Sequence, residues 1–265
     1  MQNWKKLGLI YNKKNYCAVP IGHFVQKDIL RIYASYRQKN NKSSPFFIEY
    51  NLKTGEVLRE KTIEIPFGNL GTFDEHGIMP TSILYKNNKV WLFYIGWNLA
   101  TSVPFRNSLG LAISEDDGVT FKKYSEAPIL DRSLYDTCFV STNCIIEEED
   151  FYRMYYLSCN KWEYINGKLL HFYNIKYAHS KDAINWIRRG EVCINFRFPN
   201  EYAISSPRVL KENDIYKMWY SFRGNNEIET YRIGYAESND GKTWIRKDEE
   251  VNLNISDEGW DSEMI

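Results

Sequence analysis

Val90-Trp91-Leu92-Phe93-Tyr94 decides the fold, because the same kind of stretch comes back three more times. Its counterparts are Leu30-Arg31-Ile32-Tyr33-Ala34, Tyr152-Arg153-Met154-Tyr155-Tyr156 and Tyr216-Lys217-Met218-Trp219-Tyr220. The aligned tyrosines Tyr33, Tyr94, Tyr156 and Tyr220 stand 61, 62 and 64 residues apart. Short runs this rich in aromatic and β-branched side chains favour strands. Their return at a near-constant period marks a repeat architecture.

The repeat extends outward from the tyrosine strand. Three of the four are followed by a second strand type: Leu109-Gly110-Leu111-Ala112-Ile113-Ser114, Ile175-Lys176-Tyr177-Ala178-His179-Ser180 and Ile233-Gly234-Tyr235-Ala236-Glu237-Ser238. Each then enters a turn that ends on an aromatic, at Asp116-Asp117-Gly118-Val119-Thr120-Phe121, Asp182-Ala183-Ile184-Asn185-Trp186 and Asp240-Gly241-Lys242-Thr243-Trp244. Asp-Gly supplies the positive φ that tight turns need. A third strand type, at residues 78–84, 140–146 and 204–210, precedes the tyrosine strands. Four antiparallel strands in roughly 60 residues describe a propeller blade.

The expected fold class is therefore all-β, a five-bladed β-propeller of four-stranded antiparallel blades in one domain, residues 1–265. Blade one covers about 15–65, blade two 72–131, blade three 134–195 and blade four 198–255. A fifth blade begins at 257 and is truncated, since its tyrosine would fall beyond Ile265. An N-terminal strand at residues 4–11 is expected to complete it. The open blade would offer an edge for a homodimer.

Composition narrows the function classes. Lys plus Arg equals Asp plus Glu at 34 each, against the basic excess of a nucleic-acid protein. No apolar run is long enough to span a membrane, and the N-terminus does not read as a signal peptide, so a cytoplasmic chain is expected. Five cysteines without C-x-x-C spacing argue for free thiols and against zinc. His23, His76, His171 and His179 show no metal spacing, so no cofactor is expected; a lone calcium or sodium ion in the channel stays open. Phosphate-loop, dinucleotide and serine-hydrolase motifs are absent.

Candidate chemistry comes from the repeat. In a propeller, equivalent positions of successive blades converge on one end of the axis. Asp74 and Asp136 each stand 20 residues before their tyrosine, and Asn200 holds that offset before Tyr220. Extrapolation adds Asp261, and Glu75, Glu201 and Glu263 lie beside the set. Paired carboxylates suit glycoside chemistry, one as acid and the other as base or nucleophile. The candidate catalytic residues are thus Asp74, Asp136, Glu201, Asp261 and Glu263. The bland reading is that such residues cap turns. Blade one departs from the pattern, with Lys13 at the offset and His23 as the nearest other titratable group. Candidate substrate-binding residues are Glu75, His76, Trp97, Asn98, Trp162 and Trp260, with Arg37, Arg208 and Arg223 for an anionic group.

These residues carry a resemblance. Gly71-Thr72-Phe73-Asp74-Glu75-His76-Gly77-Ile78-Met79-Pro80, Tyr94-Ile95-Gly96-Trp97-Asn98, Ala127-Pro128-Ile129-Leu130-Asp131-Arg132-Ser133 and Gly259-Trp260-Asp261-Ser262-Glu263 resemble the arabinanase/levansucrase/invertase-like five-bladed propellers. The nearest in character are glycosidase-like proteins of bacterial surface-polysaccharide clusters. The resemblance implies carboxylates around a central funnel, with Asp74 and Asp136 leading. It also implies a first-blade aspartate that is missing here. Three functions follow: a glycosidase-like protein acting on a glycan or activated sugar, a non-catalytic sugar-binding scaffold, and a transferase or phosphorylase using a sugar nucleotide or phosphate. The expected partner is a carbohydrate or sugar-nucleotide substrate, with no nucleic acid and no membrane span.

Overall fold

The computed structural model describes residues 4–224 and 229–265. Among these there is no α-helix, only a short 3-10 turn at Asp248–Glu250. No helix is long and apolar enough to cross a membrane. The chain divides into two compact units, Leu7–Asp131 and Arg132–Ile265, the latter including the N-terminal residues through Lys6.

In the Leu7–Asp131 unit, β1 (Ala18–Gln26), β2 (Ile29–Arg37), β3 (Ser43–Asn51) and β4 (Glu56–Thr62) form one antiparallel meander. A second meander follows in β5 (Gly77–Lys86), β6 (Lys89–Leu99), β7 (Phe105–Ser114) and β8 (Lys122–Lys123). One parallel pairing, Ser43 with Gly77, joins the two. The other unit repeats this plan with β9 (Phe139–Glu147), β10 (Tyr152–Ile165), β11 (Lys168–Ser180) and β12 (Ile187–Ile194), then β13 (Ala203–Glu212), β14 (Ile215–Arg223), β15 (Arg232–Ser238) and β16 (Ile245–Arg246). Tyr173 pairs in parallel with Ala203 at the corresponding junction. Four-stranded antiparallel sheets of this kind have the plan of propeller blades.

The tyrosine strands are the second strand of each meander and lie in the core. Tyr33, Tyr94, Tyr156 and Tyr220 are all buried. Tyr33, Phe47, Ile78, Leu92, Tyr94 and Phe121 pack into one cluster, and Tyr155, Ile175, Tyr177, Ile204, Met218 and Tyr220 into another. Each large side chain so buried contributes roughly 1.5–3 kcal/mol. The third strand carries glycine where the tyrosine ring crosses it. A Cβ at Gly110 would stand 2.3 Å from the Tyr94 ring, and one at Gly234 would stand 2.4 Å from that of Tyr220. Lys176 replaces this glycine opposite Tyr156.

The aspartate turns are built as their spacing suggests. Asp116 accepts from the backbone N–H of Val119 and Thr120, Asp182 from Ile184 and Asn185, and Asp240 from Lys242 and Thr243. The preceding serine hydroxyl accepts another backbone N–H, as Ser114 does from Gly118 at 2.8 Å.

The expected N-terminal strand at residues 4–11 is not formed, and residues 251–265 contain no strand either. A strand needs a ladder partner, and the tail offers none. Side chains fasten the N-terminus instead. Lys6 Nζ donates to the Asn254 carbonyl, Ser256 Oγ and Asp261 Oδ2, and Trp4 meets Trp219 edge-on.

Candidate functional site

The aligned carboxylates are deeply placed. Asp74 is 0% exposed; it accepts a hydrogen bond from Tyr94 at 3.0 Å and pairs with Lys123 Nζ at 2.8 Å. Asp136 is also 0% exposed. It accepts from Ser133 (2.7 Å), Ser158 (2.6 Å) and Tyr156 (3.2 Å), and it pairs with Arg188 at 2.8 Å and Lys176 at 3.6 Å. Burial lowers the Lys176 pKa, and the Asp136 charge works against that. Burial, followed by the Asp74 charge, raises the Tyr94 phenol well above its usual range, so this hydroxyl stays a donor.

The plan is shared. A carboxylate ahead of the first strand meets a tyrosine hydroxyl from the second strand and a cation from the fourth. The last meander varies it by one residue. Asn200, at the expected offset, is exposed, while its neighbour Glu201 is 2% exposed. Glu201 takes a two-point contact from Arg246 at 2.7 and 2.9 Å, and Tyr220 donates to Asp248, which also binds Arg246. Asp261 is buried too, with Lys6 as its cation; that ammonium and Ser256 hold its carboxyl below the usual range. Glu263 differs, since its side chain is exposed and its carbonyl accepts from Thr230 and Arg232. An acid or base must reach the proton it moves. In this arrangement the four buried carboxylates face protein donors.

The binding candidates fall into two groups. In the Leu7–Asp131 unit, the Arg37 guanidinium lies 4.5 Å over the Trp97 ring and 5.8 Å from that of Tyr16. Trp97 is held by a bond from Nε1 to Ser43 Oγ (3.1 Å) and by His76, whose ring is 5.5 Å away. Glu75 accepts from the Gly71 N–H at 2.6 Å and stands 3.3 Å from His76 Nδ1. Asn98 pairs with Arg106 across β6 and β7. Between the β2–β3 and β6–β7 turns lies a hollow of about 510 Å³, lined by Tyr16, Arg37, Asn41, Trp97, Leu99, Pro104 and Phe105.

In the other unit, the Trp162 and His171 rings meet at 4.6 Å with their planes tilted by 31°, and Arg223 lies 4.4 Å over Tyr231 and 5.3 Å over Tyr202. Burial, aided by the Arg223 charge, lowers the His171 pKa to about 4. Arg208 reaches the Asn143 and Pro207 carbonyls, and burial lowers its pKa. Trp260 is 59% exposed and stands apart from this group's aromatic contacts.

Sequence reasoning missed Tyr16, Asn41, Phe105 and His171. None occupies a repeat position, so the alignment that found the carboxylates passed over them. It also missed a bulge near the start of each first strand, between Ala18 and Ile21, Pro80 and Ser82, Val140 and Asn143, and Ser205 and Arg208. Val19 and Ser206 adopt positive φ there, both at 53°. Bulges re-aim side chains and favour functional rims. Among the described residues, no group of three or more His, Cys, Asp or Glu could hold a metal ion.

Comparison with known proteins adds family and fold. No protein-family model matches the chain. A Mycobacterium tuberculosis (strain ATCC 25618 / H37Rv) protein, "Uncharacterized protein Rv1502", is 32% identical over 275 residues, covering 99% of this chain and 88% of that protein. A solved structure described as "Glycoside hydrolase" superposes with a TM-score of 0.74 at 17% identity, over 96% of this chain and 79% of that one. A thermostable family-43 glycoside hydrolase gives 0.63 at 18%, over 92% and 76%. The Bombyx mori GH32 beta-fructofuranosidase BmSUC1 gives 0.63 at 16%, over 88% of this chain and 49% of that one. The GH43 and GH32 enzymes are five-bladed β-propellers. The all-β chain described here thus belongs to the family of Rv1502 and has a propeller-like fold shared with the GH43 and GH32 glycoside hydrolases.

Proposed function

We propose that this chain is a glycosidase-like, carbohydrate-active protein that seats its sugar in the Arg37–Trp97 hollow. The observation that carries the reading is the composition of that hollow. The aromatic side chains of Tyr16, Trp97 and Phe105 and the polar groups of Arg37 and Asn41 line about 510 Å³. This is the size and chemistry of small-ligand sites. Sugar C–H faces pack on aromatic rings, while polar edges orient the hydroxyls. The fold shared with glycoside hydrolases supports the same ligand class.

Within this proposal, Asp74, Asp136, Glu201 and Asp261 brace their surroundings. Hydrolysis through Asp74 and Asp136 would need each carboxylate to leave a cation and a tyrosine hydroxyl. Their complete burial favours binding over acid/base chemistry at these two positions.

The test is saturation-transfer NMR with a panel of neutral and acidic oligosaccharides, on wild type and on Tyr16→Ala. Tyr16 is 73% exposed, so its truncation leaves the core intact. Binding that weakens in the variant supports the hollow. Binding unchanged in Tyr16→Ala places the sugar elsewhere. Turnover assays on Asp74→Asn and Asp136→Asn complete the test, and turnover lost from folded variants would restore the catalytic reading.

A further inference from the structure

The hollow is charged as well as aromatic. The β2–β3 turn reads Arg37-Gln38-Lys39-Asn40-Asn41-Lys42, and the β6–β7 connection reads Asn98-Leu99-Ala100-Thr101-Ser102-Val103-Pro104-Phe105-Arg106. Together they carry four cations and no carboxylate. The chain as a whole is neutral, with 34 basic and 34 acidic residues, so this is a local excess.

Partnering separates Arg37 from the bracing arginines. Arg31 meets Glu49, Arg153 meets Glu148, Arg188 meets Asp136 and Arg246 meets Glu201. Among the described residues, the Arg37 guanidinium donates to the Asn41 carbonyl, at 2.8 Å from one terminal nitrogen, and pairs with no acid. Among the described residues, no carboxylate pairs with it or with Lys39, Lys42 or Arg106. A guanidinium has five N–H donors in a planar fork that matches a carboxylate or phosphate at two points. Here the centre of the guanidinium stands 4.5 Å over the Trp97 ring, a cation–π contact that uses none of its N–H donors towards an acid.

We propose that the ligand of the hollow carries an anionic group, a carboxylate or a phosphate, and that Arg37 is the residue that pairs with it. The proposal rests on the hollow being the sugar site. The sugar ring would lie against Tyr16 and Phe105, while Lys39, Lys42 and Arg106 raise the local concentration of anionic sugars.

Titration calorimetry with two matched pairs of probes tests this. Tetragalacturonate is compared with its full methyl ester, and glucose 6-phosphate with glucose. Each pair differs in charge on a common skeleton. In the wild type, the anionic member of at least one pair binds about tenfold or more tighter than its neutral twin. That preference shrinks with added salt and falls towards one in Arg37→Gln. Which pair shows it tells carboxylate from phosphate. Arg189→Gln, which removes an exposed charge from the other unit, keeps the preference. Equal binding of both twins, or a preference that survives Arg37→Gln, overturns the anionic ligand while leaving the sugar site standing. A preference lost equally in Arg189→Gln also overturns it, since net charge alone would explain the result. No binding of any of the four probes overturns both the anionic ligand and the sugar site.

Discussion

The Asp136 cluster and the Arg37 hollow both place charge among aromatic side chains, yet they are built in opposite senses. Asp136 is saturated, with three hydroxyls and two cations converging on one buried carboxylate. Arg37 is open, with one carbonyl acceptor and, among the described residues, no carboxylate beside it at the rim of the hollow. The Asp136 plan recurs at Asp74 and, shifted by one residue, at Glu201. The Arg37 position is not repeated, since the residues four beyond the other three tyrosines are Asn98, Asn160 and Gly224. At the strand position of Trp97, opposite the first residue of the neighbouring strand, the other unit carries Arg223, closed in by Tyr202 and Tyr231. On the proposed reading, repetition at this period marks scaffold, and departure from it marks the surface that binds.

The largest test of that contrast is Asp136→Ala. It leaves Arg188 and Lys176 without their shared carboxylate in a buried site, so unfolding free energy should drop by about 3–5 kcal/mol in chemical denaturation. An unchanged midpoint together with lost carbohydrate turnover would break the contrast and return Asp136 to catalysis. Tyr94→Phe should cost less, about 1.5–3 kcal/mol, because Asp74 loses one donor and keeps Lys123. A loss near zero would mean that the hydroxyl contributes nothing to the brace.

A smaller effect is expected from pH. Burial, aided by Arg31, lowers the His23 pKa to about 4, and burial with Arg223 does the same for His171. The fold thus favours the neutral ring, while the unfolded chain takes up protons near pH 6.5. Any stability tied to these rings is intact above about pH 6.5 and is lost as pH falls towards 4. A Tm series across that window should slope downward on the acid side, and His171→Gln should flatten it. The same slope in the variant would remove His171 as a contributor. Smallest of all, Arg37→Gln should shift stability by no more than about 0.5 kcal/mol, as at surface sites without a special partner. A loss of several kcal/mol would make Arg37 another brace.

Much of the architecture was legible along the chain. The tyrosine strands and the aspartate turns are local patterns, and each appears where its spacing placed it. The strand at residues 4–11 was misjudged because an apolar run such as Leu7-Gly8-Leu9-Ile10-Tyr11 satisfies strand propensity without supplying a ladder partner. The carboxylate set was found, but its surroundings were not. Lys123 comes from β8 and Arg188 from β12, each about fifty residues beyond the aspartate it neutralises. No spacing rule connects such partners. The hollow was half legible, since Arg37 and Trp97 stood out as candidates while Tyr16 and Phe105 sit off the repeat.

The amino-acid sequence by itself determined the four-strand period, the aromatic strands and the carboxylates Asp74, Asp136 and Glu201 that precede three of the four meanders, because these are patterns along the chain. The tertiary structure alone decided which charges are neutralised and which stay available. Pairing is a matter of distance in space, and only the folded strands bring Arg188 to Asp136 while leaving Arg37 on Trp97 without an acid.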